Sequence, residues 1–346
     1  MDEGLQATVA DSQPQRRQSG GGGPPAGLIA GLLAVLVAVL IAAPAYLAVP
    51  SLLELQAVLG LAVFAVATNL LLGYGGLVSF GQAAFYGVGS YTIAATWLHW
   101  RVPFWLAFIG APIVAAIAAL LVGLIALRAR KLDFALLTLA VSQLFNVIAE
   151  QQYNFTGGAN GIFGAMIPAA LVRPLWGYWF VLGITVLALL ALWKITVSPF
   201  GLVLRATREK RNRADALGVN VFGHQLLAFV ISGFFCGLAG ALYVVHNQNA
   251  YPDLLNWVKS GDPVIMAVIG GMYTFLGPVL GAFIFYIAEQ YLVTVTHDWQ
   301  LILGLVLLAI ILFMPDGVLG RLGGDGGGWP LLSRRRRRRG PDEPAA

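Results

Sequence analysis

Long apolar runs separated by short polar or glycine-rich breaks dominate the chain. The runs are Ala26–Val49, Leu52–Leu72, Gln82–Leu98, Pro103–Leu127, Phe134–Gln151, Leu175–Val197, Gln225–Val245, Pro263–Phe275, Gly277–Val293 and Trp299–Met314. About 20 apolar residues carry a helix across a bilayer, so the pattern predicts an all-α polytopic membrane protein of about ten transmembrane helices. Pro263–Phe275 is short for a full crossing. Merging the second and third runs, or the eighth and ninth, into re-entrant hairpins leaves the parity unchanged, so eight to ten spans fit. A signal peptide has an apolar core of only about 7–15 residues; Ala26–Val49 therefore reads as a retained span.

The interruptions carry the remaining information. Ser198–Gly223 is the longest clearly polar segment between two apolar runs, with Arg205, Arg208, Lys210, Arg211 and Arg213 set against Glu209 and Asp215. Pro199 and Gly201 break the span before it. From Leu202 the residues predict one short helix, stopped by Gly218 in the position where glycine accepts the left-handed conformation. An Ala-Leu-Gly tip (Ala216–Gly218) on a charged helix presents a small apolar knob on a basic collar, a shape for docking against another protein.

Two glycine-rich breaks, Gly73–Gln82 and Gly270–Pro278, lie between adjacent runs. Such breaks expose helix ends whose amides carry partial positive charge and can meet a carboxylate. Tight turns and close helix packing explain them equally well. The fifth run is the most polar: Thr138, Ser142, Asn146 and Glu150 recur at steps of four, with Gln143 beside them. Steps of four hold one helix face, and a hydrogen-bonding face does not suit lipid. It either lines an aqueous pathway or bonds to neighbouring helices, the latter worth about 0.6 kcal/mol per bond.

Composition sharpens the class. The 346 residues are 58% apolar and 11% charged, against roughly a quarter charged in soluble domains. The 42 glycines suit close helix packing in lipid. Of 21 Lys and Arg residues, all but Arg101, Arg173 and Lys259 fall on one side if both termini are cytoplasmic, as the positive-inside rule requires. Glu54, Glu150, Asp253, Asp262, Glu289 and Asp298 gather at the outer ends. Residues 1–25 read as a disordered cytoplasmic tail, 26–320 as the transmembrane domain with its polar loop at 198–223, and 321–346 as a basic cytoplasmic tail. Arg334–Arg339 fit topology anchoring better than binding of nucleic acid.

Catalytic patterns are missing. The sequence has no Gly-Lys dipeptide and hence no Walker A loop, and no G-x-S-x-G elbow. His99, His224, His246 and His297 lack metal-ligand spacing, and Cys236 is the single cysteine. A membrane-embedded enzyme is therefore disfavoured.

Several stretches, in order, resemble one family: Asn69–Tyr91 (NLLLGYGGLVSFGQAAFYGVGSY), Asp133–Ala140 (DFALLTLA), Thr156–Ile162 (TGGANGI), Ser198–Glu209 (SPFGLVLRATRE), Ala216–Val219 (ALGV), Leu226–Tyr243 (LLAFVISGFFCGLAGALY) and Gly277–Ala282 (GPVLGA). Over roughly residues 50–320 the chain is similar to the M-type (LivM-like) permeases of branched-chain amino acid ABC importers. The resemblance implies a multi-pass subunit of a bacterial cell (inner) membrane. Its implied partners are a second homologous permease, two cytoplasmic ABC ATPases and an extracytoplasmic substrate-binding protein. ATP and Mg would be bound by the ATPases, with no cofactor in this chain.

On that resemblance Ser198–Gly223 looks like the coupling segment that sits in an ATPase groove. Arg205, Arg208 and Glu209 would set charge complementarity, and Ala214, Ala216, Leu217 and Gly218 the packed knob. Arg211 stands where the family often has an acidic residue, and Gln143 where a carboxylate is frequent. The candidate substrate pathway comprises Ser79, Gln82, Ser142, Gln143, Asn146 and Glu150; Arg101, Arg173 and Lys259 are candidates for docking the binding protein. An ABC permease for urea or a short amide is the rival within the class. A stand-alone secondary transporter or channel would need an ion-binding carboxylate near mid-bilayer, whereas Glu54, Glu150 and Glu289 lie towards span ends.

Overall fold

The computed structural model describes residues 49–129, 131–164, 167–295 and 317–322, with isolated positions within 31–44 and 301–305. The expected spans Ala26–Val49 and Trp299–Met314 and the two tails fall outside these residues, apart from single positions and the turns at Gly317–Leu322. The helices that build the bundle and its polar segment are α1 (Val49–Asn69), α2 (Gln82–Trp100), α3 (Phe104–Ala126), α4 (Lys131–Gln151), α5 (Pro174–Val197), α6 (Pro199–Glu209), α7 (Arg211–Ala216), α8 (Val221–Asn247), α9 (Gly261–Gly270) and α10 (Gly277–Val295). Among the described residues six helices are long and apolar enough to cross a membrane: α1 with its extension to Gly75, α3, α4, α5, α8 and α10. At ten residues, α9 is about 15 Å long, half of a hydrocarbon core of about 30 Å.

Two helices form the centre. In α1 and α8, 78% and 72% of the apolar window is buried, against 28–39% in the other four. Around α8 pack α1, α2 and α3, while α5, α9 and α10 pack on α1. Side-chain size explains this choice of centre. On α8, Gly237 faces Ala115 of α3 on one side and Gly89 of α2 on the other, and Gly240 abuts the Tyr86 backbone so closely that a Cβ would overlap it. Small residues let backbones approach in this way, and in lipid that packing is a principal source of helix association. Ser90 closes the crossing by donating to the Gly240 carbonyl (2.9 Å).

The first glycine-rich break is more than a turn. α1 runs on through a π-helical turn, Leu70–Gly75, and stops at Gly76, which adopts φ +65°. The chain then doubles back without helix through Leu77–Gly81 before α2 begins at Gln82. Gln82 is level with Ser232 and Cys236, in the middle of α8, because its Oε1 accepts from both (3.1 and 3.2 Å). Side chains satisfy two amides of the break: Phe80 N–H donates to Thr138 Oγ1 (3.2 Å) and Gly81 N–H to Ser79 Oγ (3.3 Å). Non-helical backbone at membrane depth is tolerated only where protein buries it.

The polar segment departs from the single helix expected. It forms two helices, α6 and α7, broken at Lys210, which is extended (φ −148°, ψ 87°). α6 buries Gly201, Leu204 and Thr207 against the bundle, and the break turns α7 so that Ala214 is buried too. The stop at Gly218 (φ +82°) forms as expected, with Val219 N–H donating to the Ala214 carbonyl (3.1 Å). Asn220 then caps α8, its Oδ1 accepting from Gly223 N–H (2.9 Å).

Candidate functional site

The two breaks and the polar segment converge on Arg208. Leucine at position 204, fully buried beside Gly75, fixes α6 under the end of α1. One turn on, Arg208 points into the protein. Its guanidinium donates from Nη1 to the Gly73 carbonyl and lies 5.1 Å from the ring centroid of Tyr273. Its aliphatic stem packs against Gly76 where a Cβ would overlap it. Gly73 belongs to the first break and Tyr273 to the second, so one side chain of the polar segment touches both. Gly73 is also pressed against the Met272 carbonyl, which joins the two breaks directly.

The junction is under-satisfied. Arg208 Nε and Asn69 Oδ1 are both buried without a hydrogen-bond partner among the described residues. A guanidinium has five donors in a fixed fork, and a buried polar group left unpaired costs about 1–3 kcal/mol. Such a contact has spare bonding capacity for a second arrangement.

A second tie lies just past the far end of the first break, where the chain ahead of α9 meets the start of α2. The hydroxyl of Ser260, just before α9, accepts from the Ala83 amide at 2.9 Å. It thereby satisfies one of the four amides that the start of α2 leaves without a helical partner. Ser260, Tyr273, Gly73, Ser232 and Cys236 were not among the site residues expected from the sequence. Only the glycine-rich setting of Gly73 and Tyr273 hinted at those two.

The coupling candidates divide into two groups. Arg205 is exposed with its guanidinium 4.7 Å from the Tyr74 ring, and Glu209, Ala216 and Gly218 are exposed. Leu217 is 84% exposed, whereas Ala214 is buried. The outward knob is thus Ala216–Gly218, with Ala214 and Arg208 turned inward.

The pathway candidates mostly make internal bonds. Ser79 and Gln82 are buried and bonded to each other (3.3 Å) beside Ser232 and Cys236. On α4, Ser142 donates to the Leu255 carbonyl (2.7 Å) and Asn146 to the Pro252 carbonyl (2.9 Å). These two side chains hold the 3-10 turn Pro252–Leu255, which has descended beside α2 and α4. Gln143 donates to Asn146 at 3.4 Å, and its Oε1 is buried without a partner among the described residues; Glu150 is exposed. Of the docking candidates, Arg101 and Arg173 are exposed at helix ends. Lys259, partly exposed, pairs with Asp262 at 2.6 Å and lines a half-open cavity.

A family model described as the branched-chain amino acid transport system / permease component matches residues 52–313. The chain is 25% identical over 280 residues to the high-affinity branched-chain amino acid transport system permease protein LivM of Escherichia coli (strain K12), covering 72% of this chain and 65% of that protein. It is 27% identical over 294 residues to the LivH permease protein of Salmonella typhimurium, covering 75% and 91%. Over 159 residues it is 30% identical to the autoinducer 2 import system permease protein LsrC of Photorhabdus laumondii, covering 43% and 47%. The chain thus spans just under two thirds of the length of the LivM relative it matches. No solved structure matches it. The matched region takes in both breaks, the polar segment and every helix from α1 to α10, and on that extent the chain belongs to the branched-chain amino acid transport system permease family.

Proposed function

We propose that this chain is one membrane subunit of an ATP-driven importer of branched-chain, hydrophobic amino acids, working by alternating access. The observation that carries the reading is Arg208, which ties the Ser198–Gly223 segment to Gly73 and Tyr273. On this reading a cytoplasmic ATPase seats the exposed Leu217 knob and its basic collar. Closure of the ATPases displaces α6; Arg208 passes the displacement to both breaks, and so to the start of α2 and the end of α9. The chain does no covalent chemistry. Nucleotide and Mg belong to two ATPase partners, a second homologous permease completes the pore, and an extracytoplasmic binding protein delivers the solute.

The family membership supports this assembly, and the proposed setting is a bacterial inner membrane with both termini cytoplasmic. Residues 26–320 form the permease domain of eight to ten spans, flanked by the tails 1–25 and 321–346. Ser79, Gln82, Ser142, Gln143, Asn146 and Glu150 are proposed along or beside the solute route, and Arg101 and Arg173 at the binding-protein face. The test is to purify the tagged chain from its own membrane, identify what co-elutes, and reconstitute it. Co-elution of an ATPase and a second permease, with uptake that requires ATP, is the expected result. Solute carried by vesicles holding this polypeptide alone would overturn the reading.

A further inference from the structure

A cavity of about 330 Å³ lies between α1, α8 and α10 and the chain that leads into α9. Its volume falls at the lower end of the range of about 300–1,000 Å³ typical of small-molecule sites. None of the six pathway candidates lines it. The walls include Tyr86, Tyr243, Tyr251, His246, Lys259 and Glu289. The three tyrosines form a run, with ring centroids 5.9 Å apart for Tyr86 and Tyr243 and 6.2 Å for Tyr243 and Tyr251.

The charges are unequal. Lys259 is neutralised by Asp262 at 2.6 Å. Glu289 has no ion-pair partner among the described residues, although it is half-buried on a membrane helix. A half-buried carboxylate without a partner is costly even towards the end of a span, because its charge is left uncompensated. The complement of one surplus negative charge walled by aromatic rings is a cation: rings attract an ammonium through their negative faces, and a carboxylate binds it by charge-assisted hydrogen bonds. Lys259 also has three donors, of which Asp262 does not need all, so a carboxylate on the same solute has a partner nearby.

We propose that this cavity is a binding site for the ammonium group of a small aliphatic solute, with Glu289 as its counter-charge. That the solute is an amino acid rests on the import reading; the ammonium preference does not.

The experiment uses the full-length chain in lipid nanodiscs, titrated calorimetrically against empty nanodiscs with three probes of one carbon skeleton. L-Valine has both charged groups, isobutylamine only the ammonium, and 3-methylbutanoate only the carboxylate. Valine and isobutylamine should bind and 3-methylbutanoate should not, and Glu289→Gln should weaken binding of the first two at least tenfold. A second measurement needs no variant: carbodiimide labelling of Glu289 in the wild-type chain, read by mass spectrometry, should be slowed by isobutylamine and not by 3-methylbutanoate. Equal binding by Glu289→Gln, binding of 3-methylbutanoate, absence of amine binding, or protection by sodium chloride alone would each overturn the proposal. Because no ATPase or binding protein is present, amine binding in an assembly that imports no amino acid would sink the import reading and leave the site standing.

Discussion

The hydroxyl of Ser260 and the amide of Ala83, 177 residues apart in sequence, meet at 2.9 Å in the buried centre of the protein. Ser260→Ala leaves that amide without a partner, at a cost of about 1–3 kcal/mol, while Ser260→Thr keeps the oxygen. The thermal midpoint of the purified chain should fall in the alanine variant and largely recover in the threonine variant. Equal midpoints would remove the bond from the account of how α2 begins.

Arg208→Lys preserves the charge but loses the planar fork and the stacking on Tyr273. Uptake should fall about tenfold, a loss of about 1.4 kcal/mol in coupling, while the ATPases still co-purify and hydrolyse ATP. Uptake at the wild-type level would show that the junction is merely packing.

Leu217 is so exposed that Leu217→Asp should leave folding within about 0.5 kcal/mol. Insertion should be normal and uptake lost. Binding-protein-stimulated ATP hydrolysis at full rate would contradict a docking role for this tip.

Asn146 separates two readings of the α4 stripe. Because it holds the Pro252 carbonyl, Asn146→Leu should lower the thermal midpoint and uptake together. Uptake lost at an unchanged midpoint would place Asn146 in the solute route instead.

Arg173 is exposed where α5 begins. Arg173→Glu should reduce transport driven by the binding protein without disturbing co-purification of the other subunits; unaltered uptake would exclude it from that face.

Much of the architecture was legible from local pattern. The apolar runs marked α1, α3, α4, α5, α8 and α10, and the Gly218 stop followed from its own sequence. What escaped was set by partners distant in the chain. The i+4 spacing of Ser142 and Asn146 revealed a shared face, but not that this face grips carbonyls at Leu255 and Pro252, over 100 residues away. Nor did any residue near Lys210 announce a break; burial of Leu204 on one side and Ala214 on the other imposes it. That Lys259 lines a cavity together with tyrosines from α2, α8 and the chain ahead of α9 becomes apparent only in three dimensions.

The first break and α9 are fastened to each other at both extremities, by Arg208, Gly73 and Tyr273 at one and by Ser260 with Ala83 at the other. Segments joined at both ends into a closed loop behave as a mechanical linkage with few degrees of freedom, so displacing one corner obliges the opposite corner to respond. Slack anywhere in that loop, such as two extra flexible residues between Leu77 and Ser79, would let the corners move independently while every individual contact remained intact.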